Sequence, residues 1–259
     1  RLSERFTRID AVEKALGRGI YVDDIQIEGM LHAKALRSAY PRAVVKKIDL
    51  SQALQHPDTE RILLADDVPQ NKIGHIVQDW DVLIPEGNTT RYIGDALALV
   101  AARKRESLDE ILKLIQVDYE VLEPVTTTEQ ALAENAPAIH SGGNVLTTER
   151  LKRGDADTAI ANSAHVVTRH YSTPFTEHAF MEPECAVALP EGDGLLIYTA
   201  SQSVYDEQRE IATMLKVPKE RIHCQAKLVG GGFGGKEDMS VQHHAALMSW
   251  HTGKPVKVR

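Results

Sequence analysis

The sequence is poor in cysteine, in excess basic charge and in long apolar runs, and each shortage excludes a class of protein. Only two cysteines, Cys185 and Cys224, occur in 259 residues. A secreted disulfide framework is therefore excluded, and a reducing cytoplasm is the expected compartment. The formal net charge of −7 leaves no basic footprint for nucleic acid. Because no apolar run approaches the ~20 residues that cross a bilayer, we also expect no membrane association.

Short strand patterns alternate with helix patterns, which predicts an α+β fold. Apolar and polar residues alternate over 31–35 and over 115–121, as in strands with one buried face. The run 96–101 is apolar throughout, as in a strand that is covered on both faces. Ser107 and Glu110 match a capping box and predict that a helix begins there.

The second half of the chain carries a further series of predicted elements. After a linker with one short helix, Asp155 is the expected N-cap of a helix that ends near Asn162. The residues at 190–194 predict a tight hairpin. The other predicted elements are strands at 165–171, 185–189, 195–200, 221–229 and 256–258, and helices at about 206–216 and 237–251.

The break in pattern around Pro124 predicts a domain boundary. We predict one α+β domain over 1–125, a linker over 126–140, and the first part of a second α+β domain over 141–259. The chain opens on Arg1 and stops within a strand-like run. We therefore expect it to be a piece of a longer polypeptide.

The strongest chemical signal is the run GGGFGGKED at 230–238. Ordering five glycines around one aromatic residue is entropically costly. Such a run is useful where the main chain must lie flat against another molecule. The sequence therefore predicts that this segment contacts a cofactor or a substrate.

Two nucleotide-binding templates fit part of this run. Gly230, Gly232 and Gly235 satisfy G-x-G-x-x-G, the dinucleotide fingerprint, and the spacing also fits most of a phosphate loop. Glu237 stands where the phosphate loop needs Ser or Thr, and its carboxylate would repel phosphate. The position of the ribose-binding acid is basic, and Arg259 is suited to a 2′-phosphate. An NADP-binding module is therefore an alternative.

A third interpretation accounts for the whole run and for segments elsewhere. GGGFGGKE resembles the molybdenum-cofactor domain of the xanthine dehydrogenase and aldehyde oxidase family. Further segments of that domain are similar to EHAFMEPE at 177–184 and to LKVP with RI at 215–222. The family's a/b hammerhead domain is similar to the segments at 19–24, 36–41, 94–100 and 117–120. In family order, these segments resemble the N-terminal part of the molybdopterin-binding subunit.

The resemblance implies a molybdenum hydroxylase. Such an enzyme hydroxylates an electron-poor carbon of a purine, a related N-heterocycle or an aldehyde, with water as the oxygen source. Its molybdenum is held by a pterin dithiolene, so no direct protein ligand is expected. FAD and 2Fe-2S clusters are expected on other domains or subunits, and the assembly is expected to be a dimer of multi-subunit units. The family's general base and substrate arginine follow Arg259, so this chain alone is expected to be inactive.

The resemblance also assigns roles to five residues. Gln202 is expected to donate an amide hydrogen bond to a molybdenum oxygen, and Phe233 to wall the cavity. The backbone N–H groups of Gly232, Phe233 and Gly234 are expected to approach that oxygen, as in an oxyanion hole. Glu237 matches a substrate-facing glutamate. We expect it at the start of a helix and partly buried, where the pKa of its carboxyl would rise.

Other polar residues have structural interpretations. Lys236 is expected either to tether the backbone or to be solvated, and His178 to hydrogen-bond within the fold. His243 and His244 are adjacent, so on a helix they point about 100° apart and are poorly placed to chelate one metal. Glu182 is left outside the predicted site. A cofactor-free assembly scaffold is the non-enzymatic alternative.

Overall fold

The chain forms two compact units in a computed structural model that describes residues 8–259. The larger unit consists of residues 8–124 and His178–Arg259, and the smaller unit consists of Val125–Glu177. The first seven residues of the predicted first domain lie outside the described residues. No helix within 8–259 is both long enough and apolar enough to cross a membrane.

Strands and helices are mixed along the chain, which confirms the α+β fold class. The strands are β1 Leu31–Arg37, β2 Ala43–Asp49, β3 Thr59–Leu63, β4 Lys72–Ile73, β5 Trp80–Asp81, β6 Ala96–Ala102, β7 Gln116–Val121, β8 Ala186–Glu191, β9 Gly194–Thr199, β10 Ile222–Ala226 and β11 Val256–Val258. The α-helices are α1 Ala11–Ala15, α2 Leu108–Leu114, α3 Thr128–Leu132, α4 Ala156–Ala161, α5 Val204–Leu215 and α6 Gln242–Thr252.

A seven-stranded mixed sheet organises the larger unit, in the order β10-β9-β8-β11-β1-β6-β3. The pairs β9–β10 and β1–β11 are parallel, and the other neighbours are antiparallel. Strands from both sides of the predicted linker therefore share one sheet. The division into 1–125, 126–140 and 141–259 stays a prediction.

Apolar side chains cover both faces of this sheet. Every residue of β6 is buried, which confirms the strand predicted from its continuous apolar run. On one face, α5 and α6 supply Ile211, Met214 and Leu247 to the largest core cluster. On the other face, Leu108 and Ile111 of α2 pack against Leu97 and Val100. Packing on both faces holds the strands in place. The loops that form the candidate site, described below, begin at the ends of these strands.

The hairpin between β8 and β9 forms as predicted. Glu191 pairs with Gly194, and Gly192 has a φ of 58°. Only glycine takes such a left-handed backbone without a steric cost, which is why this position ends one strand and starts the next. The hairpin lies at the sheet end opposite to the loop that follows β9.

Three sequence predictions about local structure are wrong. Helix α2 does begin directly after Ser107 as predicted, but the Ser107 side chain does not cap it, because its hydroxyl donates to Asp58 at 2.6 Å instead. The strand predicted over 221–229 ends at Ala226. The last helix begins at Gln242 rather than near Glu237, and residues 237–241 form bends and irregular backbone instead. The glycine-rich run therefore leads into a loop and not directly into a helix.

The smaller unit contains two short helices. Thr127 caps α3 by accepting the Gln130 N–H, and Asp155 caps α4 by accepting the Thr158 N–H. The Asp155 cap and the presence of one short helix in the linker confirm predictions, whereas the Thr127 cap was not predicted. Residues 165–171 form no strand and are exposed throughout, so the strand predicted there is wrong. A strand needs a hydrogen-bonded neighbour as well as a suitable pattern, and no neighbouring strand pairs with this segment.

Candidate functional site

The glycine-rich run folds into a tight turn between Gly232 and Gly235. The Gly235 N–H donates to the Gly232 carbonyl at 2.8 Å, and φ is 55° at Phe233 and 87° at Gly234. A left-handed backbone costs a residue with a side chain roughly 1–2 kcal/mol. Phe233 does not recover this cost by burial, since it is 75% exposed. Strain of this kind concentrates at functional sites, and here it presents an aromatic ring outward.

Gln202, in the loop after β9, is seated against this turn. Its side-chain oxygen accepts the N–H of Gly234 at 3.1 Å and that of Lys236 at 3.3 Å. The main-chain N–H of Gln202 donates to the Lys236 carbonyl at 2.8 Å. A Cβ at Gly232 would lie 2.3 Å from the Gln202 side-chain oxygen, so only glycine fits there. Because the oxygen is turned to the main chain, the amide NH₂ is the end that is available to donate to a ligand.

The other glycines allow close packing of the segment 178–182. A Cβ at Gly235 would lie 2.8 Å from the His178 ring, and one at Gly231 would lie 3.2 Å from Phe180. These approaches are shorter than ordinary van der Waals contact. The glycines therefore serve the internal packing of the loop as well as its outer surface.

Two expectations about this loop need correction. The Gly234 N–H is bonded to Gln202, so it is not open to a ligand as expected. Glu237 is exposed, and it lies ahead of the first turn of α6. The expected burial of Glu237 and its expected position at the start of a helix are therefore wrong. Glu237 nevertheless lies directly after Lys236, at the end of the turn.

Beneath the turn lies an ion pair that the sequence did not identify as part of the site. Lys236 has no exposed surface, and its Nζ donates to the Glu182 carboxylate at 3.0 Å. The interpretation of Lys236 as a tether is thus confirmed, and that of a solvated side chain is wrong. Glu182 lies outside the predicted site because the sequence alone does not distinguish a residue that lines the pocket from one that caps a turn.

Two further carboxyl groups, those of the buried Glu207 and the half-buried Glu184, have shifted pKa values. Burial raises the pKa of the Glu207 carboxyl to about 7, and the Thr199 hydroxyl donates to that carboxyl at 3.1 Å. Burial also raises the pKa of Glu184, against the attraction of the Lys236 ammonium. Burial therefore raises the pKa of both carboxyl groups above that of a carboxyl group in water.

Other titratable side chains are kept uncharged by burial. The pKa of His244 falls to about 4 and that of His243 falls well below its ordinary value. Burial raises the pKa of the Cys185 thiol to about 12. Within residues 8–259, no group of three or more His, Cys, Asp or Glu side chains has the geometry of a metal site.

A cavity of about 420 Å³ lies elsewhere in the larger unit. Its titratable lining residues are Asp23, His32, Lys34, Arg105, Asp109, Lys257 and Arg259. Several of them neutralise one another, as Lys34 and Asp109 do at 2.7 Å. Arg259, the residue suited to a 2′-phosphate, lines this cavity, whereas Gln202, Gly232, Phe233, Gly234 and Glu237 do not.

The shape of the turn and its hydrogen-bond donors are the features that bear on whether a molybdenum cofactor fits against it. Gln202 turns an amide toward the outer side of the turn, and a Cβ at Gly234 would meet nothing within 4 Å. Phe233 flanks this open side as an exposed ring. A group whose metal is already held by its own ligands needs only such orienting contacts from a protein. The residues present are therefore compatible with that group.

Two family models match the chain. The model described as "Molybdopterin cofactor-binding domain" matches residues 139–259, and the model described as "Aldehyde oxidase and xanthine dehydrogenase, a/b hammerhead domain" matches residues 16–123. These two descriptions correspond to the two halves for which the sequence motifs indicated a resemblance.

Curated proteins and solved structures are also similar to the chain. The nicotinate dehydrogenase large molybdopterin subunit of Eubacterium barkeri is 36% identical over 99% of the chain and 60% of its own length. The xanthine dehydrogenase molybdenum-binding subunit of Escherichia coli O157:H7 is 32% identical over 97% of the chain and 35% of its own length. The aldehyde oxidoreductase structure from Desulfovibrio gigas has a TM-score of 0.89 at 26% identity, over 97% of the chain and 29% of its own. The chain thus spans 60% or less of the length of these relatives.

Proposed function

We propose, since this chain belongs to the aldehyde oxidase and xanthine dehydrogenase family of oxidoreductases, that the protein containing it is a molybdenum hydroxylase. The reaction would be the oxidative hydroxylation of an electron-poor carbon, with water as the oxygen source. The observation that supports this proposal best is the attachment of Gln202 to the turn around Phe233, within a matched molybdopterin-binding domain.

The chain's own residues would orient the cofactor and the substrate. When bound, the molybdenum cofactor would accept two electrons from the substrate carbon. The Gln202 amide would donate a hydrogen bond to the cofactor, and the N–H groups of Gly232 and Phe233 would add positive dipole at the same place. The Phe233 ring would shield that place from bulk water. No side chain of this set needs to ligate the metal.

The substrate class that we propose is a purine or a related N-heterocycle, with an aldehyde as the second candidate. Glu237 follows the turn directly and is exposed, so its carboxyl can form a hydrogen bond with a ring nitrogen or an N–H group. Two similar proteins are named for nicotinate and xanthine, both N-heterocycles, and one solved structure is named for an aldehyde.

Electrons taken from the substrate need an exit route. We propose iron–sulfur and FAD domains or subunits as the partners that provide it, in a dimer of multi-subunit units. A reducing cytoplasmic location suits both free thiols of the chain, Cys185 and Cys224.

The geometry disfavours the NADP-binding alternative. In a dinucleotide fold the glycine loop opens a helix, and the strands on either side of that helix are parallel neighbours. Here α6 begins at Gln242, and β10 and β11 are separated in the sheet by β9 and β8. A pyrophosphate at Gly235 would therefore lack the helix N-terminus that such ligands use.

An isotope experiment on the intact protein tests the proposal. The protein would be incubated in H₂¹⁸O with a purine, with nicotinate or with an aromatic aldehyde, and with an artificial electron acceptor. We expect ¹⁸O in the hydroxylated product of an N-heterocycle. A protein that contains molybdenum yet oxidises none of the three would contradict the proposal, and tight NADPH binding by fluorescence titration would favour the alternative. Full assembly with partner subunits but without cofactor would favour the scaffold.

A further inference from the structure

Lys236 lies in a fully enclosed position directly beneath the turn. It has 0% exposure, which is rare for lysine because an unpaired ammonium is costly to bury. Its Nζ donates to the Glu182 carbonyl at 2.9 Å and to the Glu182 carboxylate at 3.0 Å. It also lies 4.6 Å from the centre of the Phe180 ring, within cation–π distance. One short segment thus supplies the partners of this ammonium.

The same carboxylate holds the other end of the glycine-rich run. Glu182 Oε2 accepts the N–H of Gly230 at 2.6 Å, and the Glu182 N–H donates to the Gly230 carbonyl at 3.4 Å. A Cβ at Gly230 would lie 2.5 Å from the Glu182 Cβ, so this approach requires glycine. Gly230 and Lys236, which lie before and after the glycine turn, are therefore both hydrogen-bonded to the Glu182 side chain.

The main chain of Lys236 connects the ion pair to the exposed residue Gln202. Its N–H and its carbonyl both bond to Gln202, as the side chain below bonds to Glu182. Lys236 is therefore the residue through which the buried carboxylate and the outward amide are connected. The turn with Phe233 at its tip lies between the two points of attachment.

We propose that the ion pair between Glu182 and Lys236 is the positioning device of the cofactor-facing turn, holding Gln202 and Phe233 where a bound cofactor meets them. This inference rests on the proposed function. Neither residue contacts the ligand itself, since Lys236 is enclosed and the Glu182 side chain is only 10% exposed. Loss of one partner leaves the other charge buried and unpaired, so the loop is expected to open rather than to keep its place.

The test compares Lys236→Met and Glu182→Gln with Lys257→Met in the intact protein. Lys257 is a matched control because it is a second buried lysine, 5% exposed, whose Nζ donates to the Asp23 carbonyl at 2.6 Å away from the turn. Glu182→Gln keeps the size of the side chain and one acceptor oxygen. It therefore carries the test if Lys236→Met does not fold.

Four quantities are measured: amide exchange in peptides spanning 230–236, molybdenum per protein, the Mo(V) EPR spectrum, and kcat with KM. We expect exchange in both test variants to be at least ~10-fold faster, because the hydrogen bonds of the turn open locally. Molybdenum content should fall, or the loaded fraction should show an altered EPR spectrum and a kcat ~10- to 100-fold lower at similar KM. Lys257→Met should match the wild type in the exchange of this segment and in molybdenum content.

Unchanged exchange, molybdenum content and EPR spectrum in both test variants would overturn the inference while leaving the proposed function intact. A wild-type protein that stays free of molybdenum after cofactor supply would count against the proposed function instead. The exchange measurement decides the role of the ion pair in either case, because it needs no bound cofactor.

Discussion

The side-chain oxygen of Gln202 accepts the main-chain N–H of Gly234 at 3.1 Å, across 32 positions of sequence. This bond joins the loop after β9 to the loop after β10, two parallel neighbours in the sheet. Loops at the same end of parallel strands emerge side by side, so the sheet itself brings the two segments together. The Gln202 amide and the exposed Phe233 ring therefore lie on two loops that are hydrogen-bonded to each other.

Gln202→Met should reduce kcat by ~10- to 100-fold in the intact enzyme, since two backbone N–H groups lose their acceptor and the cofactor loses a donor. Gln208→Met is the control, because Gln208 donates to the Lys219 and Ile222 carbonyls away from the turn. The control should lower the thermal midpoint while leaving kcat unchanged. Equal kcat values in the two variants would remove Gln202 from the site.

Gly232→Ala should disrupt the turn, because the added Cβ would lie 2.3 Å from the Gln202 side-chain oxygen. We expect a loss of about 1–3 kcal/mol in the free energy of unfolding and a loss of activity. Gly142→Ala is a matched control, since a Cβ at that position meets nothing within 4 Å. Urea unfolding and steady-state assays on both variants check the prediction, and a wild-type result for Gly232→Ala would contradict the seating of Gln202.

Some of these features follow from the sequence and others do not. The buried strand β6 was predictable because seven consecutive apolar or small residues have few other uses. The enclosure of Lys236 was not, because lysine is almost always exposed and only its three-dimensional neighbours Glu182 and Phe180 reverse that preference. The strand at 165–171 failed for a related reason, since its pattern says nothing about the neighbour that a strand needs.

Glu237→Gln should lower the turnover of purines or other N-heterocycles while the molybdenum content stays at the wild-type level. The expected decrease in kcat/KM is ~10-fold or more, since a hydrogen bond to a charged group contributes about 1.5–3 kcal/mol. Glu220→Gln, at another glutamate that is exposed and lies after α5, is the control. Identical kinetics for Glu237→Gln and the wild type would exclude Glu237 from substrate binding.

Glu207 should make stability depend on pH. Burial raises its pKa in the folded protein from 4.5 to about 7, so the folded state keeps a proton that the unfolded chain releases. The folding free energy from this group is complete below pH 4.5 and is lost as the pH rises through about 7. Glu207→Gln, which stays uncharged, should therefore gain stability relative to the wild type between pH 4.5 and 8, by at most about 3 kcal/mol.

Urea unfolding of both proteins at several pH values measures this difference. Glu220→Gln is again the control, because it makes the same chemical change at an exposed glutamate. A difference between Glu207→Gln and the wild type that is the same at pH 5 and pH 8 would show that the Glu207 carboxyl titrates normally.

The most direct test is a structure of the intact protein with its cofactor bound. We predict that the Gln202 amide nitrogen lies about 3 Å from an atom of the molybdenum cofactor, with the Phe233 ring beside it. A structure in which this turn faces only solvent, or holds the pyrophosphate of a nucleotide, would contradict the proposed role of the turn.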